Sequence, residues 1–286
     1  MRALLFLALL ISALPSPLHA ADILDTATDS RLTIADLLRL ARQADFVLLG
    51  EIHDNPHHHR LRAEFIARLA PGSVVVEHLE QGHQTRWRDA SGTGRSVADA
   101  LTEAGFDRAG WQWPIHAPLF DGLARAGIPA TGGNIGRELA RRIVREGPGA
   151  LPPALAAPLA GAPLQAAAEA ALEADLLDSH CGQLPPGRVP GMRLAQRARD
   201  AAMATALLAT PGKPAVLLAG NGHVRGDYGV PVLLAGLRPG ARILSIGFVE
   251  DDRPGDDEHL YTHVWRTSPA SRDDPCTAMR ANRPKG

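Results

Sequence analysis

Four short runs along the chain are apolar without alternation: Phe46–Leu49, 73–76, 128–130 and 215–219. A strand with one wet face would alternate, so unbroken runs of this length predict strands covered on both sides. Gly or Pro punctuates each: Gly50 follows the first, while Pro71-Gly72, Gly127 and Pro214 precede the others. Two later runs, 242–249 and 260–265, predict further strands around an acidic turn at 251–258. Helical character fills 32–43, 57–69, 96–104, 116–126, 136–146 and 191–209. Strands alternating with helices predict an α/β fold with a mostly parallel central sheet flanked by helices. Residues 147–190 break the rhythm with Pro/Gly linkers around an Ala/Leu-rich helical stretch. The segment 137–209 therefore reads as a helical insertion or cap beside the sheet, within one domain over 21–267. From residue 268 to 286 no apolar periodicity remains, which predicts a flexible tail.

The first twenty residues have a different logic. Arg2, an apolar run over 3–14 and the break Pro15-Ser-Pro-Leu-His-Ala20 follow the order of a signal peptide. The apolar run is too short to cross a bilayer. No lipobox cysteine stands at the break, so the expectation is a soluble exported protein of the periplasm. Composition adds exclusions. The chain has 286 residues, 45% hydrophobic and 21% charged, which argues against disorder and fibrous repeats. A net charge of −1 gives no footprint for nucleic acid or an anionic membrane. Aromatic residues are 4% of the chain, so a site for a flat ligand has few rings to use. Cys181 and Cys276 can pair in an oxidising compartment, but spacing in sequence leaves that open.

Chemistry concentrates where the predicted strands end, the edge at which open α/β sheets bind ligands. The first strand runs into Glu51, His53 and Asn55, the second into Glu77 and His78, the third into Asn134, the fourth into Asn221 and His223. Glu51 and His53 alternate and share a face if the strand continues. His57, His58 and His59 fall in the first turn of a helix, where the positive helix end keeps imidazole neutral. They point in different directions, so at least two read as surface residues. His223 suits metal ligation or acid–base work, and Tyr228 a phenolate ligand or an aromatic wall. Trp111 and Trp113 precede His116 and offer apolar walls. Gln196, Arg199 and Asp200 fall on one stripe of the helix over 191–209. The expected cleft thus joins Glu51, His53, Glu77, Asn134, Gln196, Arg199, Asp200, Asn221 and His223.

Six ordered blocks carry a resemblance: Leu49-Gly-Glu-Ile-His-Asp-Asn-Pro-His-His58, the strand end at Glu77, Asn134, His180-Cys-Gly182, Gln196-Arg-Ala-Arg-Asp-Ala-Ala-Met-Ala204 and Ala219-Gly-Asn-Gly-His-Val-Arg-Gly-Asp-Tyr-Gly-Val-Pro231. Over roughly residues 45–250 the chain resembles the ChaN-like haem-binding family, similar in fold to erythromycin esterases and the Tiki/TraB group. The resemblance implies a cell-envelope protein of haem or iron uptake, with haems held cofacially in a homodimer by tyrosine and an outer-membrane haem receptor system as partner. The family commonly has a Tyr after Trp113, where this chain has His116. Axial iron ligation therefore falls to His116 or Tyr228, or to His57 or His58, and propionate contacts to Arg193 or Arg225. Two other readings stand beside haem. One is a metal-dependent hydrolase holding Zn, Mn or Co with Glu51, His53, Glu77 and His223. The other is a metal-free esterase with His53 as general base aligned by Glu51 or Glu77. No Gly-x-Ser-x-Gly elbow is present.

Overall fold

The computed structural model describes residues 22–251, 258–274 and 276–277. The leader over 1–20, most of the acidic turn and the end of the chain lie outside the described residues. Among those described, eight strands form a single mixed sheet: β1 (Asp22–Asp25), β2 (Ser30–Leu32), β3 (Phe46–Leu49), β4 (Val74–Glu80), β5 (Ala130–Asn134), β6 (Ala215–Leu218), β7 (Ile243–Glu250) and β8 (His263–Thr267). Their spatial order is β2-β1-β8-β7-β3-β6-β4-β5. The pairs from β8 to β5 are parallel, whereas β1 runs antiparallel to both β8 and β2. The α/β class and mostly parallel sheet are as expected. The two N-terminal strands are an addition, because Asp22–Asp25 and the edge strand Ser30–Leu32 are short, with little apolar signal.

Each central strand sends alternate residues to opposite cores. Val47 and Leu49 pack with α1 (Ile34–Gln43), α2 (Pro56–Leu69), α3 (Val97–Glu103) and α4 (Ala117–Ala126), while Phe46 and Leu48 pack on the other face. That other face is covered by α5 (Arg137–Glu146), α6 (Pro153–Gly161), α8 (Val189–Ala209) and α10 (Val230–Leu237), with α9 (Asn221–Val224) at the rim. This two-sided burial is what the continuous apolar runs encode. The expected helical insertion is thus largely a structural layer. Ala198, Ala201, Ala202 and Ala204 of α8 are fully buried, small enough to let the helix lie close to the sheet. α7 (Ala166–Ser179) stands outside that layer, in a small cluster with Tyr228.

Topology positions the site. The chain passes from β3 to β4 and β5, then returns to place β6 between β3 and β4. Gly50 and Gly220, just past β3 and β6, therefore become neighbours of Glu77 within β4 at the crossover. Gly50 is required by proximity rather than by a special turn, since a Cβ there would lie 2.1 Å from Asn221 Oδ1.

The segment after β8 is fastened at several points. Arg272 donates to Glu250 Oε2 at 2.7 Å and its Nε lies 2.9 Å from Asp54 Oδ2. Cys276 is bonded to Cys181, closing the question that sequence left open. The tail expected from residue 268 is anchored as far as Cys276, and residues from 278 onward lie outside the described residues.

Candidate functional site

Two carboxylates organise the crossover, one on each side of His53. Glu51 follows β3 and is buried. Its Oε2 faces the Arg62 guanidinium and lies 3.1 Å from His59 Nδ1. Its Oε1 lies 2.7 Å from His53 Nδ1, and 3.5 Å from both His78 Nε2 and His116 Nε2. His59 and Arg62 are one turn apart on α2 and so share its inward face. His78 comes from β4, and His116 from the residue just before α4. The Trp111 ring sits over this group, its centroid 4.4 Å from that of His78 and 5.2 Å from that of His53.

Burial sets the charge states. Desolvation holds His78 well below the usual histidine range and brings His59 to about 4 and His116 to about 2, so all three are neutral at pH 7. Arg62, also buried, falls to about 9 and remains the cation opposite Glu51. His78 has no hydrogen bond at either ring nitrogen, and His116 has none at Nε2. Buried polar atoms without partners are costly and uncommon in folded proteins.

The second carboxylate is Glu77 on β4. The Gly220 N–H donates to its Oε2 at 2.8 Å, and His223 Nε2 lies 3.3 Å from its Oε1. His223 Nδ1 is 2.6 Å from Asp200 Oδ1 on α8. Burial pulls the imidazole pKa down, but the two carboxylates overcome it and raise it to about 10. His223 is therefore an imidazolium, and its charge keeps Glu77 well below the usual carboxylate range despite burial. Burial raises Asp200, partly offset by the same imidazolium. Asn134 donates to the Glu77 backbone carbonyl at 2.9 Å, and Arg199 donates to Asn134 Oδ1 at 2.8 Å. Gln196 Nε2 lies 3.3 Å from the His223 ring nitrogens.

His53 joins the halves. Its side chain is 48% exposed, and a Cβ on Gly220 would come within 2.9 Å of its ring. Beside it opens a cavity of about 350 Å³ whose walls include Glu77, His78, Trp111, Asn134, Arg199 and His223. A groove between α5 and α8 continues from it, lined by Arg137, Arg141, Arg145, Arg188 and Arg199.

The structure thus brings together Glu51, His53, Glu77, Asn134, Gln196, Arg199, Asp200 and His223. Asn221 is a correction: its amide donates to the Phe248 carbonyl at 2.6 Å and accepts from the Phe248 N–H at 3.1 Å, so it clamps the start of α9 to β7. Of the three consecutive histidines, two are interior rather than surface, because α2 packs that side against the sheet. His58 accepts from the Ile52 N–H at 3.0 Å and lies 2.8 Å from Thr267 Oγ1. His57 is half-buried, its Nδ1 accepting from Arg60 at 2.5 Å.

The other haem candidates fare differently. Tyr228 is 2% exposed and its hydroxyl donates to Asp175. Arg225 is bound to Asp175 at 2.7 Å and Asp227 at 2.8 Å. Arg193, half-exposed on α8, lies 3.6 Å from both Glu169 and Glu173. Tyr261, the second of the chain's two tyrosines, is also buried. Tyrosine ligation of a shared surface haem, which the resemblance implied, has no accessible phenol to use here. Of the hydrolase ligand set Glu51, His53, Glu77 and His223, the last is held between two carboxylates, its Nδ1 2.6 Å from Asp200 and its Nε2 3.3 Å from Glu77.

Comparison with known proteins bears on this geometry. Among solved structures the fold is similar to one described as cofacial heme binding to ChaN of Campylobacter jejuni, at 17% identity and a TM-score of 0.67, covering 85% of this chain and 95% of that one. Weaker likenesses are to the type III effector HopBA1, at 15% identity, TM-score 0.43 and coverage of 83% and 94%. An erythromycin esterase EreC mutant in its open conformation gives 14% identity, TM-score 0.39 and coverage of 85% and 81%. No curated protein matches the chain in sequence. The family model described as haem-binding uptake, Tiki superfamily, ChaN matches residues 37–234, a span from α1 through the cleft to α10, and the chain belongs to that family.

Proposed function

We propose that the chain is an exported haem-binding protein of the periplasm, taking part in haem or iron uptake by holding haem without turning it over. The observation that carries this reading is the family match across residues 37–234. The C. jejuni ChaN structure is described as binding heme cofacially, and we place the same arrangement here: two copies of the chain enclosing haems between them. Sharing the ligand between two chains suits a protein with 4% aromatic residues. His57 is the axial ligand in this proposal, because Tyr228 and His58 are committed to internal hydrogen bonds and His116 is sealed inside. Capture by His57 displaces only its contact with exposed Arg60, a cost of about 1 kcal/mol or less. The leader-like order of residues 1–20 and the Cys181–Cys276 bridge support export to an oxidising compartment. An outer-membrane haem receptor system is the partner class such a holder would serve.

The test is absorption titration of the purified chain with haem. A Soret shift lost in His57→Ala and kept in Tyr228→Phe supports the assignment. Loss only in Tyr228→Phe would move the ligand inward and require the Tyr228–Asp175 contact to open.

One observation favours hydrolysis as a second reading: the cleft places a half-exposed imidazole, fixed at Nδ1 by a buried carboxylate, beside a buried imidazolium. His53 would act as general base and His223 as a fixed positive charge. Ester turnover abolished by His53→Ala, without any Soret response in the parent chain, would establish that reading over haem.

A further inference from the structure

Glu51 divides its two oxygens between unlike surroundings. Oε2 belongs to the fold, since Arg62 and His59 occupy it from α2. Oε1 faces a chamber into which three imidazoles project: His53 from its own segment after β3, His78 from β4 and His116 ahead of α4. His53 makes a hydrogen-bond contact there at 2.7 Å. His78 and His116 do not. Their Nε2 atoms stop 3.5 Å from Oε1, and no hydrogen-bond partner is present for either atom.

From this convergence we propose that Glu51 Oε1, His78 Nε2 and His116 Nε2 form a binding site for one divalent first-row transition ion, open on the side of His53. The distances fit. Ligands about 2.0–2.1 Å from a tetrahedral ion are separated by about 3.4 Å, close to the carboxylate–imidazole spacings found here. One donor atom from each of Glu51, His78 and His116 lies within 4.8 Å of the other two. The donors also fit chemically, since two imidazoles with one carboxylate make an open His₂Glu set of the kind that binds zinc or ferrous iron.

Nearby side chains complete the site. Arg62 holds the opposite carboxylate oxygen, so ion and guanidinium use different atoms of one group. Such outer contacts orient ligands in natural metal sites. Glu77 acts electrostatically on both His78 and Arg62, adding negative charge on this side of the site. His78 and Trp111 line the cavity beside the site, which gives an ion a route in.

The histidines of α2 and of the second carboxylate show the contrast. His58 and His59 each have a hydrogen-bonded partner, and His223 is held at both nitrogens by carboxylates. The inference rests on these residues alone and is independent of haem binding.

The test uses the full-length chain, stripped with a chelator and free of haem. Titration with Zn²⁺ against a chromophoric competitor should show one tight equivalent per chain, and Co²⁺ should give visible bands of a site with nitrogen and oxygen ligands. His78→Gln and His116→Gln, which keep side-chain bulk, should each weaken Zn²⁺ by more than the roughly 10–100-fold that loss of an outer partner costs. His223→Asn and His57→Ala should retain the equivalent. Absence of a tight equivalent in the parent chain overturns the proposal, as does its loss in His223→Asn with retention in His78→Gln. Should the glutamine variants fail to fold by circular dichroism, the Co²⁺ spectrum of the parent chain decides alone, since ions bound to surface carboxylates lack imidazole bands. Haem titration of the zinc-loaded and stripped chain separates this result from the haem reading.

Discussion

Replacing His223 by glutamine removes the one positive charge between Glu77 and Asp200. In the native chain that imidazolium is raised to about 10 by the two carboxylates, against an unfolded value near 6.5. Because the folded pKa is the higher one, the stabilisation is complete below about pH 6.5 and is lost as pH rises toward about 10. A tenfold difference in proton affinity between the folded and unfolded chain corresponds to about 1.4 kcal/mol, so the whole window holds no more than about 5 kcal/mol. At pH 7 the variant leaves two buried carboxylates without their cation, and breaking a buried ion pair on one side costs about 3–5 kcal/mol. Urea unfolding of the parent chain and His223→Gln between pH 6.5 and 9.5 measures both effects. The parent should lose stability across the window while the variant, weaker at the start, stays flat, so the two converge. A histidine Cε1–H resonance with its midpoint near 10 would identify His223, because burial lowers the other interior histidines of the site instead of raising them. Parallel stability curves, or a His223 midpoint near 6.5, would refute the charge assignment.

Three further outcomes follow from the same geometry. Arg62→Leu strands the Glu51 carboxylate in the interior and should destabilise the chain by about 3–5 kcal/mol in urea unfolding, with a smaller loss in the double variant Arg62→Leu/Glu51→Leu. Cys181→Ser opens a bridge that spans 95 residues and should cost about 2–5 kcal/mol, an effect that dithiothreitol reproduces in the parent chain and not in the variant. Gly220→Ala places a methyl group 2.9 Å from the His53 ring, displacing it from between Glu51 and Glu77 at a cost of about 1–3 kcal/mol. The displacement should appear as an altered His53 ring resonance and a weakened contact with Glu51.

Much of this was visible in the chain as written. Unbroken apolar runs such as Phe46–Leu49 and Ala215–Leu218 announced strands buried on both faces, and their polar ends announced the rim. Glu51, His53, Glu77, Asn134 and His223 meet because β6 returns between β3 and β4, and the alternation of strands and helices already favoured such a sheet. What escaped depended on facing rather than identity. His58, His59 and Arg62 sit on α2 among polar neighbours, and nothing local says which side of that helix turns inward. The three-residue spacing of His59 and Arg62 was the available signal, since it puts a cation and an imidazole on one face. Asn221 and Tyr228 lie in a motif rich in chemistry, yet one pins a strand and the other meets Asp175 from α7. Such pairings across 27 and 53 residues of sequence are made by tertiary packing and leave no periodic trace.

In the proposed function the chain holds haem through His57. Titrating haem into the purified protein while following the Soret region and the sedimentation coefficient tests it most directly. The account predicts a saturable Soret shift accompanied by conversion of monomer to dimer, both lost in His57→Ala. A spectrum that remains that of free haem at every ratio, with the protein unchanged in size, would contradict it.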